Sequence, residues 1–410
     1  MGVALTVDRL TPQQVDYLVS LGVRQVSLPI VAERFPSELR EAWDELRQTI
    51  LTLRRVGIEV VPVLELRTAD PDRAEALAEL IFLRLGDLVS AVVLFNRVNW
   101  RSGFDRKFLR ESVKRIVLMR DVLAPGAKLI LGGVMGRDQV WLDKYSTGSL
   151  FDRVDGIGFD LRPLGGGVEA IGPGDVGAPD DVGGFASLIP KLKQRGLEVW
   201  LTEVGTNTGP PGAGADQVTQ ASIVARALVM AKQVGFDRAF VYSAWDRSPR
   251  LEEVEMNMGL GDTALNPKMS YEVVRRLAPI LDRGQVMELP PLAQVRLVPE
   301  FPGQNTPVYW SLLRQGNRLF LLWWNRLTGL SNLTTDLFIS GLEVEAVRAF
   351  DGFNLRPATF HASRSGKVLV VNGLPISALP SWLELRLLAE PENPLEAIGP
   401  PDGEEMGDGK

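Results

Sequence analysis

From residue 1 to about residue 280, short apolar runs rich in Val, Ile and Leu alternate with longer amphipathic stretches. Runs that are apolar at successive positions suit strands covered on both faces, and their alternation with helix-length segments predicts β-α units around a parallel sheet. The runs are Val3–Val7, Gln25–Ile30, Glu59–Leu64, Ala91–Phe95, Lys128–Gly132, Gly156–Phe159, Glu198–Thr202 and Ala239–Ser243. They make eight candidate strands, the number that closes a barrel. Helices are expected at Pro12–Leu21, Glu38–Val56, Asp72–Leu85, Arg106–Leu123, Val140–Tyr145, Gly184–Arg195, Thr219–Val234 and Tyr271–Leu281. The phrases LGV (21–23), VGI (56–58), RGL (195–197) and VGF (234–236) each place a Gly between helix and strand, and read as four copies of one αβ turn. An open doubly wound sheet gives the same alternation, but no G-x-G-x-x-G follows the first strand, and the glycine cluster at 165–167 lies after the sixth.

Two segments interrupt the rhythm: Leu164–Gly183, rich in Gly, Pro and Asp, and Thr206–Gln217. Both follow expected strands, which puts them on the C-terminal face of a barrel, where active-site loops are built. They read equally as mobile loops or as covers for a substrate. From about residue 285 the texture changes to short, closely spaced strands at Ala293–Val298, Val308–Leu313, Arg318–Trp324, Asp336–Ile339, Val344–Phe350, Lys367–Val371 and Leu383–Leu388, the pattern of an antiparallel sandwich. Trp323 and Trp324 are neighbours in one such strand, so one is expected in the core and the other outward or toward the barrel. The expected fold class is α/β, a (β/α)8 TIM barrel over 1–283 followed by a small antiparallel β-sandwich over 284–390. The acidic segment 391–410 is expected to be a disordered tail.

Composition narrows the chemistry. The 410 residues carry 45 Lys and Arg against 51 Asp and Glu, a formal charge of −6, with no Cys and a single His, His361. Disulfides, Cys/His zinc sites, cysteine nucleophiles and multi-histidine metal centres are excluded, and a Ser-His-Asp device would have to run through His361 alone. Neither a metal nor a cofactor is expected, and carboxylates are left as the main acid/base groups. The mild acidity and the lack of a basic run argue against nucleic acid as a partner. No window approaches ~18 consecutive apolar residues, so no membrane span is expected. Residues 1–10 lack the features of a signal peptide. The compartment stays open between cytoplasm and secretion.

Polar residues at the C-terminal ends of barrel strands are the first candidates for a site. They are Glu65 after strand three, Asn96, Arg97, Asn99 and Trp100 after strand four, Asp160 and Arg162 after strand six, Glu203 and Asn207 after strand seven, and Tyr242, Trp245 and Asp246 after strand eight. Carboxylate, guanidinium, amide and aromatic groups together suit sugar recognition, in which rings stack on pyranose C–H faces while amides and carboxylates bind hydroxyls. Each has a plainer reading too. Glu203 and Arg97 read also as a mere ion pair, Asn96 as a loop tie, and Tyr242 and Trp245 as packing.

The segment VWLTEVG (199–205) resembles the strand-seven nucleophile motif of the clan A glycoside hydrolases, with Glu203 at the matching position. AVVLFNRVNW (91–100) is similar to the clan's strand-four segment, whose Asn-Glu-Pro-Asn supplies the acid/base. Here Asn96 and Asn99 match, while Arg97 stands in place of the acid/base Glu and Val98 in place of Pro. LGVRQVSLPI (21–30) resembles the second strand, with Ser27 where Arg is common, and APGAKLILGG (124–133) the passage into strand five. VDGIGFDLRP (154–163) resembles strand six, its usual His-x-Tyr replaced by Asp160, Leu161 and Arg162. FVYSAWDRS (240–248) and NPKMSYEVV (266–274) resemble strand eight and the last helix. RLFLLWWN (318–325), VEAVRAFDGF (344–353) and VLVVNGLPISAL (368–379) are similar to the accessory sandwich of family 39-like members.

The resemblance implies a retaining glycosidase, in which one carboxylate attacks the anomeric carbon and a second, roughly 5–5.5 Å away, protonates the leaving oxygen. Arg97 cannot be that second group, because its proton does not leave near neutral pH. Beside Glu203 it is expected to form a neutralising pair instead. Three readings follow. The first is a degenerate, non-hydrolytic glycosidase that binds an oligo- or polysaccharide. The second is an active retaining O-glycoside hydrolase with Glu203 as nucleophile and a substitute acid, Asp160 first, then Glu65 or Asp246. The third is a structural or protein-interaction role, which no feature of the sequence specifically supports.

Overall fold

The computed structural model describes residues 1–6, 9–36, 39–146, 150–162, 182–209, 215–250, 253, 256–299, 308–325 and 333–388. Most of the two interrupting segments and the acidic tail lie outside them. The chain divides into two compact units, Met1–Gly284 with Ala378–Pro380, and Gln285–Ser377 with Ser381–Lys410.

In the first unit, strands β1 (Gly2–Ala4), β2 (Gln25–Val31), β3 (Glu59–Glu65), β4 (Ala91–Leu94), β5 (Lys128–Met135), β6 (Gly156–Leu161), β7 (Glu198–Val204) and β8 (Arg238–Val241) pair in parallel and in chain order. β8 returns to β1 through Gly2↔Phe240 and Val3↔Val241, so the sheet closes on itself. Between and after the strands run α1 (Pro12–Leu21), α2 (Arg40–Arg55), α3 (Pro71–Leu85), α4 (Arg106–Leu123), α5 (Gln139–Ser146), α6 (Ile189–Gln194), α7 (Gln217–Val234) and α8 (Met269–Arg283). The fold is a TIM barrel.

Local chemistry sets these boundaries. Thr11 and Gln14 close a capping box on α1, and Asp70, Asp105 and Asp216 accept backbone N–H groups at the starts of α3, α4 and α7. Gly22, Gly57, Gly196 and Gly235 take the left-handed conformation, with φ from +77° to +97°, so the four repeated phrases are one turn used four times. The expected helix at Gly184–Arg195 is broken. A short 3-10 turn at Gly183–Ser187 precedes α6, whose Pro190 belongs in the first turn of a helix.

Val61, Ala91, Val93, Ile130, Trp200 and Phe240 fill the barrel. At its N-terminal end Arg238 Nη1 donates to Glu59 Oε1 at 3.0 Å, with the guanidinium 4.4 Å from the Trp200 ring. Glu59, Val61, Val63 and Glu65 share one face of β3, so the alternation that plugs the floor carries Glu65 to the mouth.

The second unit is a β-sandwich of two antiparallel sheets, β10-β13-β17-β16 and β15-β14-β18-β12-β11-β9 in spatial order. The strands are β9 (Gln285–Val286), β10 (Gln294–Pro299), β11 (Val308–Gln315), β12 (Arg318–Asn325), β13 (Leu333–Ser340), β14 (Val344–Asp351), β15 (Arg356–Ala358), β16 (His361–Ser365), β17 (Val368–Ile376) and β18 (Ser381–Leu387). Trp323 lies in its core and donates Nε1 to the Pro375 carbonyl at 2.8 Å. Trp324, expected outward or toward the barrel, is also fully buried, its ring stacked on Tyr309. His361 is exposed on the edge strand β16.

Candidate functional site

The mouth of the barrel gathers Glu65, Asn96, Arg97, Asp160, Arg162, Glu203 and Tyr242. Glu203 is the centre. Its Oε1 accepts from Asn96 Nδ2 at 3.0 Å, and its Oε2 accepts from Arg162 Nη2. Arg97 Nη2 stands 3.8 Å from that same oxygen, a longer, looser contact. The expected pair of Arg97 with Glu203 therefore exists, but the tighter partner is Arg162, from the neighbouring strand. Asn96 Nδ2 also lies 3.4 Å from Glu65 Oε1, so one amide is shared by two carboxylates.

Simple alternation along β7 does not aim Glu203 this way. Trp200 points into the barrel, and a strict period of two would send Thr202 and Val204 after it. The register shifts between Leu201 and Val204 on the β8 side and between Phe159 and Asp160 on the β6 side, which sets Glu203 opposite Asp160. Such an irregularity re-aims the side chains that follow it. The β4 exit is similarly bent: Phe95 and Arg97 both take positive φ, 68° and 54°. Gly133 on β5 packs beneath this bend. A Cβ there would lie 2.2 Å from Asn96 Oδ1, 2.5 Å from Arg97 N and 2.8 Å from Asp160 Oδ2, so only glycine fits.

Asp160 is fully buried, its Oδ1 accepting from Thr202 Oγ1 at 2.8 Å and its Oδ2 without a hydrogen-bond partner among the described residues. Burial, with the nearby Glu203 charge adding to it, raises its pKa well above the usual carboxylate value. Glu65 is raised for the same two reasons, in the same order, with Arg101 4.0 Å away and Asn96 partly offsetting them. Burial works against the Arg162 charge, but Glu203 and Asp160 overcome it and raise the guanidinium's pKa. The Arg162 guanidinium also lies 4.7 Å from the Tyr242 ring, a cation-π contact. Burial and then Glu203 raise the Tyr242 phenol. The result is one carboxylate held by amide and guanidinium donors beside two carboxyls whose pKa values are raised.

The other expected residues have surroundings of their own. Asn99 receives Met135 N–H on Oδ1 at 2.7 Å and donates Nδ2 to the Met135 carbonyl and to Asp138, tying the β4 exit to the end of β5. Trp100 is 71% exposed. Trp245 is 4% exposed, packed edge-on to Tyr17. Asp246 forms a buried ion pair with Lys268, 2.7 Å between Nζ and Oδ2, reinforced by Thr208 Oγ1 and the Gly259 N–H. That pair lines a polar cavity of about 430 Å³ with Thr208, Asn257 and Asp262. Asn207 acts through its backbone, its carbonyl accepting from Ala215 N–H at 3.1 Å. Ser27, at the altered strand-two position, is buried in β2. Sequence reasoning missed Arg101, Gly133, Thr202 and Lys268. Only Arg101, a charged residue just past the strand-four motif, carried a signal.

Among the described residues no group of His, Asp or Glu side chains is arranged to hold a metal ion, and no helix is long and apolar enough to cross a membrane.

No protein-family model matches the chain, and no curated protein does. Solved structures do. A family 39 glycoside hydrolase from the gut symbiont Bacteroides cellulosilyticus aligns over 94% of this chain and 80% of its own, with a TM-score of 0.69 at 17% identity. A glucosidase from Croceicoccus marinus aligns over 95% and 96%, with a TM-score of 0.62 at 13% identity. A monomeric β-xylosidase from Caulobacter crescentus aligns over 95% and 96%, with a TM-score of 0.60 at 14% identity. The chain has the family 39-like fold of these glycoside hydrolases, a TIM barrel and a β-sandwich.

Proposed function

We propose that this protein binds a saccharide at the barrel mouth without hydrolysing it. The observation that carries the reading is the state of Glu203: the carboxylate at the nucleophile position is tied to Arg162 and Asn96 and faced by Arg97. A carboxylate so paired is a weak nucleophile, since attack on an anomeric carbon must first break charge-assisted hydrogen bonds. The proton donor expected on strand four is itself Arg97, which gives up no proton near neutral pH. Asp160 does not replace it, because a fully buried carboxyl does not reach a glycosidic oxygen. The same donors suit hydroxyl recognition, with Tyr242 offering a ring face.

Calorimetry against neutral oligosaccharides is expected to show binding that weakens in Arg162→Met and in Asn96→Ala, with no reducing sugar released over hours. Turnover of an activated aryl glycoside that disappears in Glu203→Gln would overturn the reading.

A second reading, a retaining O-glycosidase, draws on Glu65. Its raised pKa and the amide it shares with Glu203 are what a substitute general acid needs. Under that reading, activity falls in Glu65→Gln with natural substrates more than with activated ones, which need little acid help.

A further inference from the structure

On the outer wall of the barrel, helix α4 and the segment around Leu150 and Arg153 border an open cleft of about 810 Å³. Six of its lining residues are basic, Arg106, Lys107, Arg110, Lys114, Arg115 and Arg153, and one is acidic, Glu111. Arg115 is held by Asp72, Glu75 and Glu111. Lys107, Arg110, Lys114 and Arg153 are exposed, and none forms an ion pair with another described residue. Elsewhere on the same barrel basic side chains commonly find carboxylates, as in Arg47 with Asp87, Lys128 with Glu198 and Lys193 with Asp237. The cleft concentrates unneutralised positive charge on a chain whose formal charge is −6.

Helix stability does not account for these residues. The first turn of α4 has no acidic side chain, and Arg106 and Lys107 occupy it. The positive end of the helix dipole disfavours cations there. Positions 106, 107, 110 and 114 share one face, and the row from Arg106 to Leu118 runs about 18 Å at 1.5 Å per residue. Because α4 follows the β4 exit, the row starts on the face of the barrel that carries Glu203 and Trp100. No aromatic side chain among the described residues lines the cleft, which sets it apart from the stacking platforms of a single-stranded nucleic-acid groove. Its one exposed apolar residue, Leu118, is little for a lipid surface to take up.

We propose that this cleft holds an acidic polysaccharide, its carboxylates set along the row of Lys107, Arg110 and Lys114. The anionic character rests on the cleft alone, whereas the choice of a sugar polymer rests on the function proposed for the mouth.

The test is binding of polygalacturonate by the full chain, followed by calorimetry at low and at moderate salt, beside neutral dextran, duplex DNA and phosphatidylserine vesicles. The variant Lys107→Gln/Arg110→Gln/Lys114→Gln changes only exposed side chains, and a circular dichroism melt like that of the native chain establishes that it folds. Expected are binding of polygalacturonate but not dextran, at least a tenfold weakening in the triple variant, and a flatter dependence on salt. Unchanged affinity in the folded variant overturns the proposal, as does tighter, cleft-dependent binding of DNA or vesicles. Neutral oligosaccharides that bind the triple variant as they bind the native chain leave the mouth reading standing whatever the cleft does. If they bind neither protein while polygalacturonate binding stays cleft-dependent, the mouth reading alone fails.

Discussion

Arg162 donates to the same Glu203 oxygen that Arg97 faces from 3.8 Å, so two guanidinium groups compete for one carboxylate edge. Restoring a Glu at position 97 therefore does not by itself free the nucleophile. Arg97→Glu is expected to leave aryl-glycoside turnover within a few-fold of background, because Arg162 still holds Oε2. Arg97→Glu/Arg162→Gln supplies an acid and releases the carboxylate, and is expected to raise turnover by ~10²-fold or more, the usual worth of general acid catalysis. A large gain in the single variant would show that Arg162 is no restraint.

The barrel was legible because its signals are local and repeated: eight apolar runs, and four Gly turns whose φ values are nearly the same. Strand ends also pointed to the mouth residues, since position along a strand fixes height in a barrel. What stayed hidden depends on register. Glu203 meets Arg162 because β7 shifts register beside β6, which no period in the sequence announces. Trp245 and Tyr242 are three residues apart, yet one packs against Tyr17 and the other meets Arg162. The cations of α4 are not a run in sequence. Apolar Phe108, Leu109, Val113 and Ile116 separate them, and only the helix turns them to one side.

Asp160 ties the mouth to pH. Burial raises its pKa in the folded chain, so the folded state keeps a proton that the unfolded chain has already lost at the usual carboxylate range. Stability must therefore fall as pH rises from that range toward the folded value, and the loss is complete above it. Asp160→Asn has no proton to lose and keeps an acceptor for Thr202. Relative to the native chain its melting temperature is expected to rise as the pH is raised from the usual carboxylate range through neutrality. Parallel melting curves across that range would mean that Asp160 is ionised in the fold.

Lys268 and Asp246 make the most buried ion pair at this end of the barrel, with Thr208 and Gly259 completing their hydrogen bonds. Burial lowers the Lys268 pKa and raises that of Asp246, and the pair's own attraction opposes both shifts. Removing one partner strands the other charge. Lys268→Met is expected to cost ~3–5 kcal/mol in denaturant unfolding, whereas Lys268→Met/Asp246→Leu costs clearly less, since no lone buried charge remains. Equal losses would place the effect in packing rather than in charge.

The two tryptophans near the mouth separate binding from stability. Trp245 resembles a sugar-stacking residue in sequence, but it is 4% exposed and lies 6.2 Å from the Tyr17 ring, edge to face. Trp245→Ala empties a large buried volume and is expected to cost ~3–5 kcal/mol of stability. Any loss of saccharide binding then follows from unfolding. Trp100, 71% exposed, holds nothing in place by burial, yet it offers an open aromatic face three residues along the chain from Arg97. Trp100→Ala is expected to leave the melting temperature within a degree or two and to weaken saccharide binding several-fold, by the loss of a stacking face. Calorimetry and thermal melts on the two variants read both effects. If Trp100→Ala binds as the native chain does while Trp245→Ala stays folded and binds weakly, the recognition surface lies on the β8 side of the mouth instead.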